Sequence, residues 1–116
     1  CNCDSLHEGT NCEIEKRAKY FGSFTFQVEC SSIHHLDYLK FSPSDSGAYQ
    51  IIIHNLHGLE DDCTANMMAD GSVVIPYQYI NAYNISGSAN IVNNKIVVNY
   101  ILYTNGGNDT CTWTEN

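Results

Sequence analysis

Ile96-Val97-Val98-Asn99-Tyr100-Ile101-Leu102-Tyr103 is the stretch whose reading decides the fold. Taken with period two, one face carries Ile96, Val98, Tyr100 and Leu102, and the other Val97, Asn99, Ile101 and Tyr103. Both faces are largely apolar. Upstream, Phe21, Ser23, Thr25 and Gln27 alternate with Gly22, Phe24, Phe26 and Val28, so Phe24, Phe26 and Val28 should point inward. β-Branched and aromatic runs of this kind recur from Tyr20 onward, separated by Gly, Ser, Asn and Asp.

Candidate strands are 20–30, 37–41, 48–55, 63–69, 72–76, a run around 77–80, 82–91, 95–103 and a last piece at 109–115. Turn signals fall between most of them, at Ser42-Pro-Ser-Asp-Ser-Gly47, Ala69-Asp-Gly71, Asn93-Asn94 and Asn105-Gly-Gly-Asn108. The spacing leaves no room for a helix of ~10 residues between strands, which excludes a parallel βαβ topology. The expected fold is all-β: an antiparallel up-and-down meander of about eight strands. Pro76 has no N–H to give a ladder and should lie at a strand end or edge.

Composition bounds the rest. The chain has 116 residues, 43% hydrophobic and 16% charged, enough for one modest core and too apolar for disorder. Its longest uncharged stretch, 71–94, is full of Asn, Ser and Gly and does not read as a membrane span. The net charge is −8 with five basic residues, which argues against nucleic acid, where several phosphates must be neutralised. Residues 1–40 hold four basic and six acidic groups, net −2, whereas 41–116 hold one basic and seven acidic, net −6. Residues 1–19 have little apolar content and read as a cross-linked stalk and connector, with the β domain spanning 20–116.

Six cysteines in a chain of this size point to disulfides and an oxidising compartment. A C-x-C spacing followed by eight residues and a third Cys is not a structural zinc pattern, even with His7 in between. Cys1 at the start is what processing of a bacterial lipoprotein leaves, with the thiol lipidated; the alternative is a domain excised at a disulfide Cys. If Cys1 carries lipid, Cys63 is the odd thiol, either buried in a strand or in an intermolecular or mixed disulfide. If not, Cys1 with Cys63 completes three bridges.

Two resemblances follow. Cys1-Asn-Cys3-Asp-Ser-Leu-His-Glu-Gly9-Thr-Asn-Cys12-Glu resembles the C-terminal half of an EGF-like module, which implies a Cys3–Cys12 disulfide around a Gly9 turn. From Lys19 the chain is similar to small cell-surface lipoproteins of Bacteroidetes. The pieces that carry this are Tyr20-Phe-Gly-Ser-Phe-Thr-Phe-Gln-Val-Glu-Cys30, Val74-Ile-Pro-Tyr-Gln78, Ile85-Ser-Gly-Ser88, Asn94-Lys-Ile-Val-Val-Asn-Tyr100 and Asp109-Thr-Cys-Thr112. The resemblance implies a lipocalin-like β-barrel (alternatively a β-sandwich), a lipid anchor at Cys1 and a Cys30–Cys111 bridge. Closing a loop of about 80 residues would stabilise by ~4 kcal/mol.

Candidates for chemistry are few. His34-His35 and His54-x-x-His57, near Glu60, Asp61 and Asp62, are the best metal ligands, but His54 and His57 face opposite sides of a strand and share an ion only across a turn at Asn55-Leu-His-Gly58. No metal or cofactor is expected. Ser, His and Asp are plentiful without a nucleophile signature, and no enzyme activity is expected. Tyr77, Tyr79, Tyr83 and Trp113 are the candidate binding residues, because rings with a polar tip suit sugar or peptide surfaces. Asn84-Ile-Ser86 and Asn108-Asp-Thr110 match the N-glycosylation sequon, which a bacterial source leaves unused; Asp4-Ser5-Leu6 resembles a Bacteroidetes O-glycosylation motif at Ser5.

The functional expectation is an outer-membrane surface protein, anchored through its N-terminal lipid and acting as a binding or accessory module with a protein partner in an outer-membrane assembly. The alternatives are a soluble carrier of a small apolar ligand and a structural subunit polymerising through edge strands.

Overall fold

The computed structural model describes residues 19–30, 34–47, 49–58, 61–80, 83–104 and 107–116, with backbone only at 7–8, 14–15, 34 and 58. Cys1, Cys3, Ser5, Cys12 and Glu60 lie outside the described residues. Two short strands, β1 (His7–Glu8) and β2 (Ile14–Glu15), pair antiparallel in a sheet of their own. The remaining strands are β3 (Gly22–Cys30), β4 (His34–Pro43), β5 (Gln50–His54), β6 (Asp62–Met67), β7 (Val73–Ile80), β8 (Tyr83–Val92), β9 (Lys95–Thr104) and β10 (Gly107–Glu115). They form a closed barrel of order β10-β3-β4-β5-β6-β7-β8-β9, antiparallel throughout. The all-β up-and-down expectation holds, and the pairing of β10 with β3 decides for a barrel over a sandwich.

The runs at 72–76 and 77–80 are one strand. Its register against β8 shifts between Ile75 and Gln78, and Pro76 sits in that irregularity. Pro76 is therefore neither at a strand end nor at an edge. A bulge satisfies the same constraint, since the ladder is already interrupted where the donor is missing.

Alternation sorts the side chains as period two requires. Ile96, Val98, Tyr100 and Leu102 of β9 are buried, whereas Val97, Ile101 and Tyr103 are half-buried and Asn99 is exposed. In β3, Phe26 and Val28 are buried, while Phe24 is half-buried and packs on the core. The interior is filled by a column of rings in unbroken contact: Tyr20 with Phe41 at 6.0 Å, Phe41 with Phe26 at 6.4 Å, Phe26 with Trp113 at 6.0 Å, Trp113 with Tyr100 at 6.4 Å, and Tyr100 with His57 at 5.8 Å. These separations are those of attractive tilted and edge-on ring pairs. At one end Tyr20 donates its hydroxyl to Gly71 O at 3.1 Å, and burial, with Asp70 nearby, pushes its pKa up to about 12.

Closure is made covalent by a disulfide between Cys30 and Cys111, which face each other across the β3–β10 ladder with Cα atoms 4.0 Å apart. Its sequence separation of 81 makes it a long-loop cross-link of the kind worth ~4 kcal/mol through the unfolded chain.

Two seams are short. β4 meets β5 only from Lys40↔His54 to Pro43↔Ile51, and β6 meets β7 only at Asn66↔Val74 and Met67↔Val73. Each is continued by a side-chain amide standing in for a peptide group. Asn55 donates Nδ2 to Tyr38 O at 2.9 Å and to Asp37 Oδ1 at 3.1 Å. Gln78 accepts from Thr64 N at 3.1 Å through Oε1 and donates Nε2 to Thr64 O at 2.8 Å, which reproduces a ladder rung. Elsewhere β8 and β9 approach so closely that a Cβ on Gly87 would lie 2.2 Å from Asn99 O and 2.6 Å from Tyr100 Cα.

Two predictions follow from these seams and this contact. Gln78→Ala and Asn55→Ala each lower unfolding free energy by about 1–3 kcal/mol in urea titrations and speed amide exchange across 50–67. Gly87→Ala costs about 3 kcal/mol, because the backbone of β9 has to move; unchanged stability would show that the strands are not held at this distance.

Candidate functional site

Two regions carry chemistry, one outside the barrel and one at its end. On the outer wall of β7–β10 the register sets side chains in rows. One row is Tyr79, Asn84, Tyr103 and Asn108; the next is Ser86, Ile101 and Thr110; a third is Val74, Ser88, Asn99 and Thr112; a fourth is Asn90, Val97 and Thr114. None of these residues is charged, in a chain whose net charge is −8. Tyr77 and Tyr79 are 64% and 72% exposed, and the ring of Tyr77 lies 5.2 Å from that of Tyr103. Ser86 Oγ and Tyr103 OH are hydrogen-bonded at 3.0 Å, and Thr112 donates to Asn99 Oδ1 at 2.8 Å. A shallow groove of about 300 Å³ runs beside them, lined by Ser86, Gly87, Asn99, Tyr100, Ile101 and Thr110. The groove lies over the close approach that Gly87 permits.

Tyr77, Tyr79 and Tyr83 lie on the surface. Trp113 is not: it is fully buried, in the ring column, with its Nε1 donating to Tyr100 OH at 2.9 Å. It belongs to the core because its parity on β10 is that of Cys111, which faces inward beside Cys30. The sequons place Asn84 and Asn108 in one row on this wall, on either side of Tyr103.

At the barrel end the chain leaves β5 through Asn55 and a single 3-10 turn, Leu56–Gly58, in which Asn55 and His57 adopt left-handed φ of 78° and 61°. Asn and His are among the non-glycine residues that adopt this conformation most readily. The turn brings Leu56 into the core and aims His57 at Tyr100, whose hydroxyl is 2.8 Å from His57 Nδ1. Trp113 Nε1 can only donate, so Tyr100 OH accepts from it, and the hydroxyl keeps both a proton and a second lone pair for its contact with His57 Nδ1. Burial holds His57 below the ordinary histidine pKa, reinforced by His35 and opposed by Asp109. Burial likewise pushes Tyr100 upward. Cys111 Sγ is 3.8 Å from the same His57 Nδ1.

His54 and His57 do not form a pair. His54 Nδ1 lies 2.9 Å from Asp62 Oδ1 at the surface, while the left-handed turn sends His57 inward to Tyr100. His57 instead groups with Cys30 and Cys111, their donor atoms all within 4.8 Å of one another. His35 lies 3.6 Å from Asp37, and the side chain of His34 is outside the description. Cys63 is a free, fully buried strand thiol that burial pushes up to about 12. The His57–Tyr100 contact spans 43 positions and the Cys111–His57 contact 54, and no local signal marks either.

No family model matches the chain, and no curated protein or solved structure matches it.

His57 makes stability depend on pH. Its folded pKa lies below the unfolded value near 6.5, so it is neutral in both states well above that pH and costs nothing there. As pH falls below 6.5 the unfolded chain takes the proton first, and stability is lost. Urea midpoints measured from pH 7.5 to 5 should fall, and His57→Gln should flatten the part of that slope due to this group. Tyr100→Phe, which strands Trp113 Nε1–H and His57 Nδ1, should cost about 1–3 kcal/mol in the same assay.

Proposed function

We propose that this chain is an exported, lipid-anchored, non-enzymatic binding module of the bacterial cell surface, and that the wall of β7–β10 holds its ligand, a neutral glycan. The observation that carries the glycan reading is the uncharged wall itself: exposed Tyr77 and Tyr79 beside Tyr103, among rows of Asn, Ser and Thr. Sugar rings present aliphatic C–H faces that pack on aromatic rings, and hydroxyls that pair with amides and hydroxyls. A surface without ionic groups meets such a ligand without burying an unpaired charge. The groove of about 300 Å³ along Ser86, Asn99 and Thr110 is open, as suits a segment of a longer chain.

A carrier of small apolar ligands has against it the ring column from Tyr20 to His57, which occupies the space such a ligand would need. Polymerisation through edge strands has against it the β10–β3 pairing, which leaves the barrel without a free edge.

The test is calorimetric titration with a panel of neutral and anionic oligosaccharides. A neutral glycan should bind, Tyr77→Ala and Tyr79→Ala should each weaken it about tenfold, near 1.4 kcal/mol, and Phe at either position should retain most of the affinity. Binding confined to anionic sugars, or indifferent to both tyrosines, overturns the reading; retention of a membrane protein instead of a glycan on an affinity column redirects the wall to a protein partner. The anchor is tested separately, by partition of the full-length protein into the detergent phase.

A further inference from the structure

The ends of the barrel, the surface grooves, the buried thiol of Cys63 and the cluster beside the disulfide all offer unassigned chemistry, and the cluster carries it furthest. We infer that reduction of the Cys30–Cys111 bridge converts this end of the barrel into a binding site for a thiophilic divalent cation of the zinc class, held by Cys30 Sγ, Cys111 Sγ and His57 Nδ1.

The geometry is close to assembled. Zinc bonds of about 2.3 Å to sulfur and 2.0–2.1 Å to nitrogen, at tetrahedral angles, place donor atoms roughly 3.5–3.8 Å apart. Cys111 Sγ and His57 Nδ1 are already 3.8 Å apart. The two sulfurs, once the bond between them breaks, must separate to roughly the same distance whether or not a metal is present. Their Cα atoms, 4.0 Å apart on facing strands, allow that separation without any movement of the backbone. All three donors lie within 4.8 Å of one another.

The histidine has to exchange one contact for another. Coordination requires Nδ1 unprotonated with its single in-plane lone pair on the metal, so the cation takes the contact that Tyr100 OH makes at 2.8 Å and the hydroxyl turns away from Nδ1. The ring is held edge-on to Tyr100 at 5.8 Å and 87°, and the left-handed backbone of His57 sets its approach. Three protein donors leave a fourth position for water, next to Tyr100 OH.

The chemistry balances with a dithiol as reductant. The dithiol supplies two electrons and two protons and itself becomes a disulfide; the Cys30–Cys111 bond breaks and each sulfur takes one proton. The cation then displaces both thiol protons to solvent and forms two metal–sulfur bonds and one metal–nitrogen bond. The barrel seam thus has two alternative clasps, covalent in an oxidising compartment and metallic in a reducing one. The inference does not depend on what the outer wall binds.

The experiment uses the full-length chain with Cys1→Ser, Cys3→Ser and Cys12→Ser, so that the remaining thiols are Cys30, Cys63 and Cys111. The reduced protein is titrated with Co²⁺ and then Zn²⁺ without oxygen, with near-ultraviolet circular dichroism of Trp113 recorded alongside. One Co²⁺ per chain should bind, with thiolate charge-transfer and tetrahedral d–d absorption that Zn²⁺ abolishes, and the oxidised protein should show neither. His57→Ala should weaken binding by about tenfold or more, and Cys63→Ser should leave it unchanged. The inference is overturned if the reduced chain takes up no stoichiometric metal, if affinity ignores His57→Ala, or if Cys63→Ser abolishes binding. It is equally overturned if reduction erases the Trp113 signal and metal does not restore it.

Discussion

The pairing of the last strand with the first is the interaction on which the rest of the molecule depends. An up-and-down meander of eight strands has two free edges until β10 meets β3, and until then its apolar faces are open to water. That meeting is between segments far apart in sequence, so chain entropy opposes it more than it opposes any hairpin of the meander. The Cys30–Cys111 bridge lies in this ladder, where it acts directly against that entropy. With the ladder closed, rings contributed by β3, β4, β9 and β10 stack into the column that fills the interior, and Trp113 at its centre packs against both Phe26 and Tyr100.

The barrel is not uniformly laced. The β5–β6 hairpin is well paired within itself but joins its neighbours over short ladders on both sides. Asn55 and Gln78 lengthen those seams with side-chain amides, which offer N–H donors and a carbonyl acceptor as a peptide does. This explains two residues that hydrophobic periodicity ignores. The same hairpin leads into the left-handed turn that carries His57, so the element least tied to the wall is the one that closes the barrel end over the disulfide. Local opening, where it occurs in this fold, is expected there first.

Aromatic residues have opposite fates on neighbouring strands. Tyr20 and Tyr100 are buried, each with a partner for its hydroxyl, whereas Tyr77 and Tyr79 stand in solvent on a wall of amides and hydroxyls. Parity along a strand separates the two groups once it is known which parity faces in. For β9 this was ambiguous, since both of its faces are apolar, and for β10 the inward position of Cys111 decides the place of Trp113. Trp113 read as a surface ring because composition alone does not say which side of a strand is covered.

The amino-acid order by itself determined what is local: which segments are extended, where Gly, Asn, Asp and Pro interrupt them, and that no helix long enough for a parallel crossover separates them. These properties rest on steric and hydrogen-bonding preferences acting over a few residues. Tertiary structure decided what depends on register and closure. It merged two runs into β7 around the irregularity at Pro76, parted His54 from His57, and set His57 against Tyr100 and Cys111 across 43 and 54 positions. It also gathered scattered Tyr, Asn, Ser and Thr into one uncharged wall. The physical reason is that a slip of one residue in a strand changes no local preference yet turns every side chain to the other face. Only the closed barrel, through the summed burial of its interior, selects among such registers.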